Sequence, residues 1–475
     1  MQEIDLEKLV SQIQSRKCES QYVEIKAAHE GCPKRLYDTL SSFSNQDEGG
    51  VIVFGIDEKK DFEIVGVYDA QDIQKKVNEQ SKEMEPFVRP LFTVCTINDK
   101  KIVSAEIPGV EVVHRPVFYK GTGRIKGSFV RVGDADEPMS EYEVYSYEAY
   151  RKHIRDDARI IPEVPLNSLN ETDIENYISS CKKERKNLSE NVGNDEILEL
   201  MGVTHSGTPT VAGILCFSKY PQGYLPQFCI TAVRVPGKEI GDVGSAGERF
   251  LDNARITGTI PQMLDEAIAF VQKNSRHKTI IGKDGKRIDQ DEYPLIAVRE
   301  IILNALVHRD YSIHSENVPI RIEMFDDRLR VINSGGLYGK ISLSNLGKIR
   351  PDTRNAVLAN ILEILKITEN RYSGIPTIQR EMQDAGLPPA EFSVRHGEFF
   401  ATLYNSVSQP KYTGKPDDIL TFCATPRSRA ELQEFTGKSH FYTMSHIVQP
   451  LIDSGALKLT IPEKPKSSKQ RFVAS

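Results

Sequence analysis

The stretch AVREIILNALVHRDYSIH, residues 297–314, decides the reading of this chain. Val298, Ile301, Ile302, Ala305 and Leu306 recur at helical spacing, so the segment reads as a helix with one buried side. Glu300 and Asn304 stand four residues apart and therefore lie one above the other on a single face. A carboxylate and an amide at that spacing can hold Mg²⁺, the Asn directly and the Glu through water, with phosphates completing the shell. An ordinary surface pair is the competing reading. Downstream, VPIRIEMFDDRLRVIN (318–333) alternates as a hairpin and SGGLYG (334–339) is a glycine turn. RYSGIPTIQREMQDAG (371–386) places Gly374 at a helix start, where backbone N–H groups can receive phosphate. EFFATLYN (398–405) reads as a further strand. His308, Arg309 and Asp310 read as a turn fixing the helix end, with a catalytic histidine as the alternative.

Working outward, the first 150 residues mix helices and strands. Residues 22–27 alternate, with Val23, Ile25 and Ala27 on one side and Tyr22, Glu24 and Lys26 on the other. Leu36, Leu40 and Phe43 line a helix ending near Asn45, VIVFGID (51–57) follows as a strand, and 71–84 reads as a helix. FTVCTI, KIVSAEI and SFVRV complete the strands, and 141–159 reads as a charged helix. Three acids, Glu19, Glu24 and Asp57, fall near one sheet. Clustered carboxylates can hold a divalent metal and support phosphodiester cleavage, with Lys26 steadying developing charge. A solvated strand face with a Glu–Lys pair is the plain alternative. FYKGTGRIKGSFVR (118–131) interleaves aromatics with cations, among them Arg124, Lys126 and Arg131. It reads either as a track for a phosphate backbone or as a solvated hairpin.

The 475 residues imply about three domains. Apolar runs such as VIVF are far short of the ~20 residues that span a bilayer. The acidic, amphipathic start MQEIDLEKLVSQIQ is no signal peptide. Seven cysteines without a C-x-x-C pair indicate neither a disulfide framework nor a zinc ribbon, so the chain reads as cytoplasmic. The net charge is −6, yet the segment from Gln409 onward carries ten Lys and Arg against six Asp and Glu. A basic tail on an acidic body suggests a local nucleic-acid contact. Seams at 160–173 and 406–418 divide the chain into 1–159, 160–405 and 406–475, while 273–292 reads as an insertion inside a domain.

ESQYVEIKAA (19–28), LSSFSNQDEGGVIVFGIDEKKDFEIVGV (40–67) and SFVRVG (128–133) together resemble the Schlafen AlbA-type domain over residues 13–150. That resemblance implies nucleic-acid binding. In the nuclease branch it implies cleavage of RNA by two glutamates five apart, matched by Glu19 and Glu24, and a later aspartate, matched by Asp57 or Asp61. LNALVHRDYS, the hairpin, N-S-G-G-L, S-G-I and GLPPAEF, with VAGILCFSKYPQGYLPQFCITAVRV (211–235) upstream, resemble the divergent GHKL-type ATP-binding domain over 171–405. The resemblance implies ATP or ADP with Mg²⁺, or Mn²⁺, held by Glu300 and Asn304 and bordered by Gly335, Gly336, Ser373 and Gly374. Two positions depart from the GHKL pattern: the adenine-reading aspartate is Asn333, and the lid glycine is Tyr372.

Residues 417–475 read as three helices and a basic hairpin, with Ser428 as an N-cap, and resemble a winged helix. Lys464, Lys466, Lys469 and Arg471 would populate its wing; protein docking is the alternative role. The expected fold is thus α+β and multidomain: an AlbA/Schlafen-like α+β module, a GHKL-like α/β sandwich and a winged helix. The expected function is a nucleotide-responsive, DNA-binding transcriptional regulator, homo-oligomeric and not membrane-bound. The alternatives are a metal-dependent ribonuclease gated by nucleotide and used in defence, and a scaffold with a vestigial nucleotide site.

Overall fold

A computed structural model describes the chain except for residues 189–191, 282–286, 369–372, 396, 406–413, 424–425, 437, 440–441, 462–469 and 475. The fold is mixed α and β. The described chain forms two compact units. One comprises 1–385 with 390–403, the other 386–389 with 404–475.

The larger unit begins with helix α1 (Glu3–Arg16) and strand β1 (Val23–Lys26). Helix α2 (Tyr37–Ser44) leads into β2 (Gly50–Phe54), followed by α3 (Ala70–Lys82) and the hairpin of β3 (Leu91–Ile97) and β4 (Lys100–Ile107). The sheet order is β1-β2-β4-β3, with β1 and β2 parallel and the other pairs antiparallel. Alternation along β2 decides its two faces. Val53 packs with Leu6, Val10 and Ile13 of α1, while Ile52 and Phe54 pack with Leu40 and Phe43 of α2 and Ile73 and Val77 of α3. The helix ends at Asn45 because that side chain is buried and fully used. It donates to the Val117 and Phe129 carbonyls and accepts from the Val117 N–H. Gly49 and Gly50 answer to close approach. A Cβ on Gly49, at φ +70, would lie 2.1 Å from the Ile107 carbonyl, and one on Gly50 would meet the Phe43 ring at 2.5 Å. The hairpin of β5 (Phe129–Val132) and β6 (Ala135–Pro138) then leads to helix α4 (Glu141–Lys152).

The second sheet holds β7 (Ile230–Arg234), β8 (Asp252–Ile256), β9 (Ile320–Met324), β10 (Arg328–Ser334), β11 (Glu391–Arg395) and β12 (Glu398–Tyr404). Its order is β8-β7-β9-β10-β12-β11. Strands β7 and β9 run parallel, and β9 and β10 form the expected hairpin. Helix α5 (Ile260–Asn274) precedes α6 (Leu295–His308), the helix read first from the sequence. Helices α7 (Ala356–Ile364) and α8 (Gly374–Asp384) follow, and α6 packs against α5, α8 and β10. Within 273–292, residues 277–281 and 287–291 pair as two antiparallel strands.

The smaller unit carries helices Pro416–Phe422, Arg429–Thr436 and Gln449–Asp453, with a three-stranded sheet of residues 427–428, 471–474 and 457–459 in that order. Ile419, Phe422, Leu432, Val448, Leu457 and Phe472 form its core. Ser428 and Glu431 cap the second helix reciprocally, each backbone N–H reaching the other's side chain. Among the described residues no helix is long and apolar enough to cross a membrane.

Candidate functional site

Helix α6 is anchored at its C-terminal end by the turn that follows it. Arg309 donates to the Ser315 carbonyl at 3.0 Å, the Asp310 carboxylate accepts from the Ser312 N–H and hydroxyl, and Asn355 donates to the Val307 and Arg309 carbonyls. Each polar group of Arg309 and Asp310 so engaged serves the turn, which favours the structural reading of His308–Asp310. His308 borders the cavity described next, and the protein around it, with the Arg354 cation, lowers its pKa below the usual imidazole range.

So held, α6 turns Glu300 and Asn304 toward the first turn of α8. A Cβ on Gly374 would lie 3.0 Å from Asn304 Nδ2 and 3.0 Å from Glu300 Oε2, so a larger residue at the α8 start would require one of them to give way. Glu300 lies 3.7 Å from the Arg299 guanidinium. Asn304 Nδ2 is buried with no hydrogen-bond partner among the described residues. Such an orphan is costly unless a ligand supplies the partner. The N-cap of α8, Ser373, makes no side-chain cap bond, so its hydroxyl is not spent on the helix start.

These groups border a cavity of about 650 Å³. Its wall brings together Glu300, Asn304, Asn333, Gly335, Gly336, Ser373 and Gly374, all seven residues expected there from the sequence. Tyr372, the lid departure, lies outside the described residues. Gly335 is held at φ +106, and a Cβ there would fall 2.2 Å from Arg354 Nη1. The acid–amide pair and a helix start on one cavity fit a Mg²⁺-bound phosphate chain.

Arg354 is a site residue that the sequence reading missed. It is buried and donates to the Gly336 carbonyl at 3.1 Å and to the Tyr142 hydroxyl at 3.3 Å. Its guanidinium also stands over the Tyr338 ring, 5.1 Å from the centroid. Tyr142 belongs to α4, two more tyrosines of which make such contacts. Tyr150 donates to Asp352 at 3.0 Å and meets Tyr338 edge-on, and Tyr145 packs against His314. The other side of α4 faces the first sheet's module, where Glu148 pairs with Arg124. The run YEVYSYEAY (142–150) carried the signal, since Tyr142, Tyr145 and Tyr150 fall near one helical face.

The acid cluster differs from its expectation. Glu24 and Lys26 share a strand face and are paired, as alternation requires. That face is not solvated: Glu24 is only 6% exposed. The Arg131 guanidinium lies 2.9 Å from Glu24, 3.8 Å from Glu19 and 2.9 Å from Asp136. Glu19 also accepts from the Ile25 N–H at 2.7 Å. Burial first, and then the Glu24 charge, push the Glu19 carboxyl up to about 7. Asp57 instead accepts from the Lys59 N–H and caps a short helical turn, and Asp61 pairs with Lys17. Among the described residues no group of three or more His, Cys, Asp or Glu side chains is placed to hold a metal ion. The cations that offset the two glutamates here are Arg131 and Lys26, where the sequence reading had placed a metal.

The expected nucleic-acid residues therefore separate. Arg131 has a side chain only 1% exposed and is consumed by the acids, so its place among the phosphate-tracking cations is corrected. Arg124 is engaged by Glu148 and stacks over Phe118, while Lys126 is exposed. Arg471 lies 3.2 Å from the Pro426 carbonyl and 3.4 Å from Glu431. Lys464, Lys466 and Lys469 lie outside the described residues.

Comparison with known proteins adds three family matches. Residues 19–140 match the family model Schlafen, AlbA_2. Residues 317–403 match HATPase_c_4, described as "Putative ATP-dependent DNA helicase recG C-terminal". Residues 147–231 match a domain of unknown function, DUF8451. No curated protein matches the chain. Among solved structures, the DIP2311 protein of Corynebacterium diphtheriae is 17% identical, covers 93% of this chain and 91% of its own, and has a TM-score of 0.41. The N-terminal domain of a RecG-related protein from Nitrosomonas europaea is 24% identical, covers 27% of this chain and 90% of its own, and has a TM-score of 0.23. By its family matches, the chain joins a Schlafen AlbA_2 domain to an ATPase-like HATPase_c_4 domain, a pairing of nucleic-acid-associated and ATP-associated modules.

Proposed function

We propose that this protein is a nucleotide-responsive, DNA-binding transcriptional regulator built from modules 1–159, 160–405 and 406–475. ATP or ADP with Mg²⁺ occupies the cavity between α6, the glycine turn and α8. The observation that carries this reading is the buried Asn304 Nδ2, which has no hydrogen-bond partner among the described residues, beside Glu300 and against Gly374. If the ion binds, Asn304 would hold it through its amide oxygen and leave Nδ2 to donate to the ligand, Glu300 would orient its water and the α8 start would receive phosphate. The AlbA_2 match and the basic C-terminal segment support a nucleic-acid partner, and the winged-helix reading of that segment supports duplex DNA. The engagement of Glu19 and Glu24 by Arg131 favours binding over cleavage.

The test uses the full chain. Mg-ATP or Mg-ADP at ~100 times its dissociation constant should stabilise the protein by about 2.7 kcal/mol in a thermal melt, and Asn304→Ala should remove that gain. Labelled duplex DNA and RNA, with Mg²⁺ or Mn²⁺ and with or without nucleotide, should be bound and left intact. Metal-dependent cleavage of RNA, lost in Glu24→Gln, would replace the regulator with the nuclease.

A further inference from the structure

We infer that helix α4 couples the cavity to the basic segment 118–127: nucleotide that settles the loop wall of the cavity also settles α4 and, through it, that segment. This rests on the nucleotide reading above and adds the route by which occupancy reaches the region matched to AlbA_2. Between Ser334 and Ala356 the chain forms neither helix nor strand, and Gly336, Tyr338, Asp352 and Arg354 of this loop border the cavity. A loop of that length inside a compact unit lacks the repeating backbone bonds of a helix or sheet. Its order therefore depends on what packs against it.

Each of those four residues is tied to α4. The Tyr142 hydroxyl accepts from Arg354, which in turn holds the Gly336 carbonyl, and Tyr150 donates to Asp352 and meets Tyr338 edge-on. Asp352 also accepts from the Lys340 N–H at 3.1 Å, so the grip takes in the start and the end of the loop. The fit is close. A Cβ on Gly339, at φ +66, would lie 2.8 Å from Tyr150 Cε2, and one on Gly397, at φ +76, would lie 2.9 Å from the Tyr142 ring. On its other side α4 offers Glu148 to Arg124, within the segment that also carries the exposed Lys126. Nucleotide that orders the loop bears the cost of fixing the residues α4 holds, so α4 then packs on a fixed surface. By reciprocity, a fixed α4 lowers the cost of binding nucleotide.

The experiment is hydrogen exchange of the full chain with and without saturating Mg-ADP, whose binding is measured by calorimetry. In wild type, Mg-ADP should slow exchange by roughly fivefold or more, the lower end of usual coupling energies, in 335–355, in α4 and in 118–127. In the double variant Tyr142→Phe with Tyr150→Phe, Mg-ADP should bind several-fold more weakly and slow exchange in 335–355 alone. Glu148→Gln leaves the contacts of α4 with the loop in place and serves if the double variant does not fold. In it the slowing should reach α4 and stop short of 118–127. Slowing confined to the cavity in wild type, spread uniformly over residues 1–140, or unchanged in the variants would overturn the inference and leave the nucleotide reading standing. Failure of Mg-ADP to bind would overturn both.

Discussion

Arg354 and Tyr142 stand 212 positions apart in the chain and are joined by a 3.3 Å hydrogen bond at the wall of the cavity. The same guanidinium holds the Gly336 carbonyl. Replacing Arg354 with Met should therefore destabilise the protein by about 3–5 kcal/mol, as removal of one partner from a buried charged cluster does. Tyr142→Phe should cost about 1 kcal/mol, and the double variant less than the sum of the two. Urea denaturation followed by tyrosine fluorescence measures all three. A wild-type midpoint for Arg354→Met would show that the cation holds nothing.

Gly374→Ala tests the closeness of α8 to α6. The added methyl has to displace Asn304 or Glu300, each 3.0 Å from it, while most of α8's packing is untouched. Nucleotide affinity should fall at least tenfold, about 1.4 kcal/mol, with the ligand-free melting temperature nearly unchanged. Unaltered affinity would place the phosphates elsewhere.

Glu19 gives a pH signature. Its carboxyl sits at about 7 in the fold against an ordinary 4.5. Between those values the folded state holds the proton more tightly than the unfolded chain, so this group's contribution to stability falls as pH rises, by at most ~1.4 kcal/mol per unit. Glu19→Gln mimics the protonated form and loses that dependence. Its melting temperature should exceed wild type by a margin that grows from pH 5 to 7 and is constant above 8. A margin that stays flat across that range rejects the burial of Glu19 as the cause.

Arg131 and Lys126 should part company. Arg131→Met leaves Glu19, Glu24 and Asp136 without their shared cation, and the protein should lose about 3–5 kcal/mol of stability. Lys126→Ala should leave the melting temperature alone and lower the salt slope of nucleic-acid binding by about 0.9 if that lysine contacts a phosphate. Loss of binding in a fully stable Arg131→Met would restore Arg131 to the nucleic-acid face.

The elements carried by strong local patterns were legible. The α6 periodicity, the β9–β10 hairpin, the helix start at Gly374 and the Ser428 cap depend on residues within a few positions of each other. The cavity's seven expected lining residues were found because glycines and the acid–amide pair have few other reasons to recur in that order. Arg354 was not legible, since its partners Tyr142 and Gly336 meet it only after the chain closes. Charge at Glu141, Glu143 and Glu148 masked the tyrosine face of α4, so the helix read merely as charged. The acid cluster misled because spacing alone cannot say whether a metal or a distant arginine will offset two neighbouring carboxylates.

The placement of α4 also bears on how such a chain can be cut or recombined. Divided after residue 159, the N-terminal piece would keep Tyr142 and Tyr150 but lose Arg354 and Asp352, to which their hydroxyls bond. The C-terminal piece would lose Asp157, whose carboxylate accepts the Leu358 N–H at 2.9 Å and so caps α7 from 201 positions away. A protease nick or a gene fusion at the seam that the sequence suggests would yield two fragments, each with exposed, unfinished surface. Intact neighbours would be released only by a cut that takes the helix and both its faces into account.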